Sequence, residues 1–115
     1  MMDEAVRIRL RDIRDNARRA LDFLGDRAAE DLEADPLHAY AILHAVQIVG
    51  EAAGRVPAEV RDAAPSIAWR ASVAMRNILV HDYSFVSKAI LVDTVRGDFP
   101  ALIEEVQRLL GEDQT

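Results

Sequence analysis

Leu10, Ile13, Ala17, Leu21 and Leu24 recur at steps of three and four, with Arg and Asp between them. That period is one stripe of an amphipathic helix beginning near Val6, and it commits the chain to helix packing from its first turns. Gly25 is the expected C-cap. Asp15, four residues before Arg19, suggests a surface ion pair on this helix. Asp26 to Asp35 is acidic and has room for about one helical turn. Asp35-Pro36 then reads as the N-cap and first-turn proline of a second long helix reaching about Arg55.

Pro57 and Pro65 bracket Ala58 to Ala64, a segment suited to a turn or two of helix and too short for a strand of any length. Ser66 offers an N-cap to a third long helix, in which Trp69, Val73, Arg76, Val80 and Tyr83 again stand three and four apart. Ser84 or Ser87 is placed to cap a fourth helix running through Val95, with Gly97 closing it. Asp98-Phe99-Pro100 restarts the chain, and Leu102, Val106, Leu109 and Leu110 mark a last amphipathic helix before the polar tail Gly111 to Thr115. No alternating strand pattern, internal repeat or low-complexity tract interrupts the series. The expected fold is an all-α bundle of four to five main helices, one domain over residues 1–115.

Half of the 115 residues are hydrophobic, enough to bury one core without a disulfide or a structural metal. The absence of cysteine excludes disulfide frameworks, thiolate metal sites, iron–sulfur clusters and a cysteine nucleophile. A formal net charge of -6 argues against bulk wrapping of nucleic acid, so any RNA contact must be focused on a local basic site. The longest uncharged stretch, Pro36 to Gly50, is shorter than the ~20 residues of a membrane span and contains His38, His44 and Gln47. The first residues carry acids where a signal peptide carries bases, which points to a cytoplasmic protein without a membrane partner.

Several catalytic signatures are missing: no G-x-G-x-x-G, phosphate loop, G-x-S-x-G or H-E-x-x-H occurs. His38 and His44 lie six apart, poor spacing for two ligands on one helix face, so they read as buried or interfacial and no metal is assigned. Gly50 and Gly54 are explained by close helix packing. Glu51 stands between Val49 and Ala52-Ala53. That setting predicts a half-buried carboxylate in need of a cation, with Arg76 a fitting partner, the alternative being an exposed acid without a role.

The richest segment is Met75-Arg76-Asn77-Ile78-Leu79-Val80-His81-Asp82-Tyr83. On a helix Tyr83 shares a stripe with Arg76 and Trp69, whereas His81 points about 140° away from Arg76. The two converge only if the helix loosens near His81 or if two copies of the segment face each other across a dimer. A histidine can move a proton near neutral pH, and an arginine can hold phosphate oxygens with its forked donors. Together they suffice for metal-free RNA cleavage, in which the 2′-hydroxyl attacks the adjacent phosphate and Arg76 balances the charge of the phosphorane. DNA, lacking that hydroxyl, is spared. Taken alone, an Arg, a His and a Tyr near a helix end are more often hydrogen-bonded structural residues.

The segment resembles the R-x4-H-x-Y motif of the HepT-type toxins of the HEPN superfamily, with a polar residue after the arginine. Arg9 to Ile13, Ile48 to Ala52, Pro65 to Trp69, Met75 to Asn77 and Asp98 to Leu102 also stand where that family has similar residues. The resemblance implies an all-α HEPN bundle that dimerises to join two motifs in one cleft, and a metal-independent endoribonuclease of a toxin–antitoxin pair. Arg76 and His81 become the catalytic pair, Asn77 a supporting polar group, and Glu51 an orienting group. The implied partner is a minimal nucleotidyltransferase antitoxin, which uses ATP and magnesium to attach AMP to Tyr83 and so blocks the RNase site; the RNase itself needs no cofactor. A second reading is a non-catalytic HEPN module that binds a nucleotide or docks a nucleotidyltransferase.

Overall fold

The computed structural model describes residues 2–62, Trp69 and residues 87–111, and every regular element among them is helical. The all-α expectation therefore holds. Helix α1 spans Glu4–Leu24. Asp3 starts it by accepting the Val6 backbone N–H at 3.0 Å, and Gly25 ends it at φ 53°, a left-handed value that glycine adopts without Cβ strain. Of the stripe predicted from spacing, Leu10, Ile13, Ala17 and Leu24 are at most 1% exposed, and Leu21 is half-buried against the same core. Asn16 is also buried, its amide donating to the Asp12 carbonyl at 2.9 Å and accepting from Arg19 at 3.3 Å. Arg19 thus turns to Asn16, and Asp15 accepts from Arg14 at 2.9 Å instead of forming the predicted pair.

The acidic connector holds one short helix, α2 (Ala29–Glu33), whose Leu32 plugs into the core. Helix α3 (Pro36–Arg55) starts as expected, with Asp35 accepting the His38 N–H at 3.2 Å and Pro36 in the first turn. A one-turn helix, α4 (Ala58–Asp62), follows Pro57. The third long helix expected after Ser66 lies outside the described residues except for Trp69, which is helical and 3% exposed within the same apolar cluster.

Ser87, not needing Ser84, caps α5 (Lys88–Asp93) by accepting the Ile90 N–H at 3.0 Å. The predicted break at Gly97 and restart at Asp98 do not occur. A π-turn over Thr94–Asp98 carries α5 straight into α6 (Phe99–Leu110). Pro100 has no N–H, and its ring collides with the carbonyl four residues back in a regular α-helix; a wider turn just ahead of it relieves that conflict. Gly97 is not among the positive-φ glycines, which are Gly25 and Gly111. Buried Val95 and Phe99, both 0% exposed, anchor the turn on its two sides. Gly111, at φ 76°, closes α6 by donating to the Arg108 carbonyl at 3.1 Å.

Helix α1 packs against α3 and α6, so the core lies between Leu10, Ile13 and Ala17, Ile42, Val46 and Val49, and Phe99, Leu102 and Val106. Burial of these side chains is the main favourable term holding the helices together.

Candidate functional site

Four of the five residues singled out for chemistry, Arg76, Asn77, His81 and Tyr83, lie outside the described residues. Glu51 is described. It sits one turn from the end of α3 and is exposed, so the expectation of a half-buried carboxylate is corrected. The reason is helical geometry: at about 100° per residue, Glu51 falls roughly opposite its sequence neighbours Val49 and Ala53, which face the core. Its own stripe is Leu37, Tyr40, His44, Gln47 and Arg55, every one exposed.

An exposed carboxylate keeps its water, so Glu51 is suited to orienting a cation brought by another surface and not to acting as a desolvated base. Gln47 and Arg55, each one turn away, leave it between an amide and a guanidinium on the same face. Leu37 is 77% exposed and Tyr40 67%, the two most exposed large apolar side chains among the described residues. The sequence reading passed over this outer face. Its signal was present in the wheel of α3, where one apolar stripe is complete without Leu37 or Tyr40.

The expectation of buried histidines is corrected at His44, which the turn of the helix carries away from the core. His38 is half-buried at the start of α3, its Nδ1 2.7 Å from the Asp35 carboxylate, while His44 is exposed on the outer face. Hydrogen bonding to the His38 backbone, aided by the facing imidazole, holds the Asp35 carboxyl below its ordinary value despite the cost of desolvation. No group of three or more His, Asp or Glu side chains among the described residues is arranged to hold a metal ion. No described helix is long and apolar enough to cross a membrane.

The profile of the family described as Ribonuclease HepT-like matches residues 13–109, a range that contains Glu51 and the whole Arg76 to Tyr83 segment. A protein of Methanocaldococcus jannaschii named "Putative RNase MJ1380" is 29% identical over 107 residues, covering 93% of this chain and 98% of its own. "Probable ribonuclease HepT" of Thermococcus cleftensis is 32% identical over 88 residues, 76% of this chain and 80% of its own. "Putative RNase TTE0752" of Caldanaerobacter subterraneus is 29% identical over 85 residues, 74% and 76% of the two chains. No solved structure matches the chain significantly.

Proposed function

This chain belongs to the ribonuclease HepT-like family, and on that premise we propose that it is a metal-independent endoribonuclease acting as the toxin of a cytoplasmic toxin–antitoxin pair. The observation that carries the reading is the family match across residues 13–109, which takes in the R-x4-H-x-Y segment. In the reaction, the 2′-hydroxyl of the substrate attacks the adjacent phosphate and the 5′-oxygen leaves. His81 moves the proton, Arg76 binds the non-bridging oxygens as charge builds on them, and Asn77 supports the pair by hydrogen bonding. A homodimer brings two copies of the segment into one cleft, which answers the divergence of Arg76 and His81 on a single helix. A net charge of -6 leaves RNA binding to such a local site.

Control falls to a partner nucleotidyltransferase that uses ATP and magnesium to transfer AMP to the Tyr83 hydroxyl. The added phosphate and adenine sit beside Arg76 and His81 and exclude RNA. The test is incubation of the purified protein with cellular RNA in the presence of EDTA. Cleavage leaving cyclic phosphate ends, together with growth arrest on expression without the nucleotidyltransferase, is the expected result. Intact RNA, or cleavage that EDTA stops, overturns it and favours the docking-module alternative.

A further inference from the structure

Arg11, Arg14, Arg19, Arg27 and Arg96 each lay a guanidinium donor on an acceptor of the chain: Glu4, Asp15, Asn16, the Phe23 and Leu24 carbonyls, and the Gly25 and Arg27 carbonyls respectively. Arg61, on the short helix α4, does not. Its side chain is half-buried, and its Nε is shut off from water with no hydrogen-bond partner. The residues three and four away in sequence are Ala58, Pro57, Ala64 and Pro65, none with an acceptor side chain, while Glu59 and Asp62, two and one away, leave a helix on other sides. The root of the side chain is nevertheless fixed. The Arg61 N–H donates to the Pro57 carbonyl at 3.1 Å, and Val60 packs against the core. A cationic donor closed off without an acceptor is costly, and an acceptor carried by a ligand removes that cost.

We propose that Arg61 is a phosphate-binding arginine for the RNA, holding a phosphate beside the one that is cleaved. Rotation about its long stem turns Nε and one Nη outward to two oxygens of a single phosphate, a side-chain change of the kind common at binding surfaces. A guanidinium suits that task because its fork matches two oxygens and it gives up water more readily than an ammonium. In chain order Arg61 stands between Glu51 and the Arg76 to Tyr83 segment, in the connector that leads from the end of α3 to buried Trp69. A chain of net charge -6 repels RNA at a distance, so each fixed cationic contact matters to binding. A carboxylate on a partner protein is the competing acceptor. Phosphate is favoured because protein interfaces gather large apolar side chains about a buried arginine, whereas the exposed residues of α4 are Ala58, Glu59 and Asp62. The inference rests on the ribonuclease reading and deepens it, adding a residue that binds substrate away from the reacting atoms.

Arg61→Met tests this, since it keeps a long stem and removes the donors. With a labelled single-stranded RNA in EDTA, KM is expected to rise about tenfold while kcat stays within about twofold, the pattern of a contact equally strong in the ground and transition states. The slope of log affinity against log salt becomes shallower by about 0.7, one phosphate contact on a single strand. Tm stays at or above that of wild type, because an apolar group replaces a donor that the folded chain leaves unbonded; an arginine kept for structure gives a lower Tm instead. Arg61→Lys restores the salt slope and part of KM. Arg18→Met removes the same charge from an exposed position on α1 and leaves KM unchanged. An unchanged KM in Arg61→Met, an equal rise in Arg18→Met, or a lower Tm with RNA affinity intact overturns the proposal, as does loss of nucleotidyltransferase binding with RNA affinity intact. The two readings separate: a wild type that binds RNA through Arg61 without cleaving it sinks the ribonuclease and keeps the contact, and a wild type that cleaves while Arg61→Met keeps its KM does the reverse.

Discussion

Arg96, on the π-turn, donates to the carbonyl of Gly25 at 2.9 Å across 71 residues of sequence. The same Nη2 reaches the Arg27 carbonyl, also at 2.9 Å. Two carbonyls of the α1–α2 turn, left over where α1 ends, are thereby satisfied from the other end of the chain. The π-turn accordingly does two things: it admits Pro100, and it aims Arg96 at the turn.

Arg96→Ala is expected to cost about 1 kcal/mol and to lower Tm by roughly 4 °C, because the bonds are charge-assisted but lie at an exposed position. Arg96→Lys recovers part of the loss, having one cationic centre in place of a fork. Thermal melts of the three proteins check this. An Arg96→Ala protein melting with wild type removes the clamp from the account of the fold.

Asp35 links stability to pH. Its carboxyl is held below the ordinary value of 3.8, first by the backbone hydrogen bond from His38 and then by the imidazole, with desolvation opposing. A carboxylate favoured in the folded state contributes stability that is complete above 3.8 and is lost as pH falls through its lowered folded value. Asp35→Asn keeps a capping oxygen and gives up the charge. Its Tm is expected to fall less than that of wild type between about pH 5 and pH 3. Equal acid sensitivity in the two proteins excludes the charge of this cap as a source of the pH dependence.

Much of this fold was legible because its signals are local. Gly25 and Asp35-Pro36 each state a helix boundary in one or two residues, and the α1 stripe names its buried face without reference to anything else. Gly97 and Pro100 misled because both resemble punctuation, whereas continuity there depends on Val95 and Phe99 being buried together and on Arg96 finding a distant turn. Glu51 was misjudged from its sequence neighbours; on a helix the relevant neighbours are three and four residues away, and of those Gln47, Gly54 and Arg55 are exposed and Ile48 half-buried. Arg76, His81 and Tyr83 were legible as residue types suited to RNA chemistry. Their convergence in the proposed dimer depends on assembly, which the periodicity of one helix does not contain.

Arg76→Ala and His81→Ala are each expected to lower the rate of RNA cleavage by at least about 10²-fold, the scale of losing charge stabilisation or proton transfer at phosphorus. Neither is a large apolar residue, so both proteins are expected to fold and to dimerise. Single-turnover cleavage of a labelled RNA in EDTA measures the effect. A fully active His81→Ala protein excludes the proposed proton transfer, and a fully active Arg76→Ala protein excludes the proposed clamp.

Tyr83 stands two residues after His81, close enough in sequence for one added group to reach both members of the pair. Transfer of AMP from ATP forms a bond between the phenol oxygen and the α-phosphorus, releases pyrophosphate and sends the phenolic proton to solvent. The new phosphate is an anion that Arg76 is suited to bind, so it competes with the RNA phosphate for the same guanidinium. Tyr83→Phe keeps the ring and removes the acceptor oxygen. It is expected to remain dimeric and to escape neutralisation, retaining toxicity when co-expressed with an active nucleotidyltransferase that silences the wild type. Incubation of both forms with the nucleotidyltransferase, ATP and magnesium, followed by peptide mass mapping, decides the point. AMP on the peptide containing Tyr83 in wild type alone supports the switch; AMP on Tyr40 or Ser84, or on neither protein, overturns it.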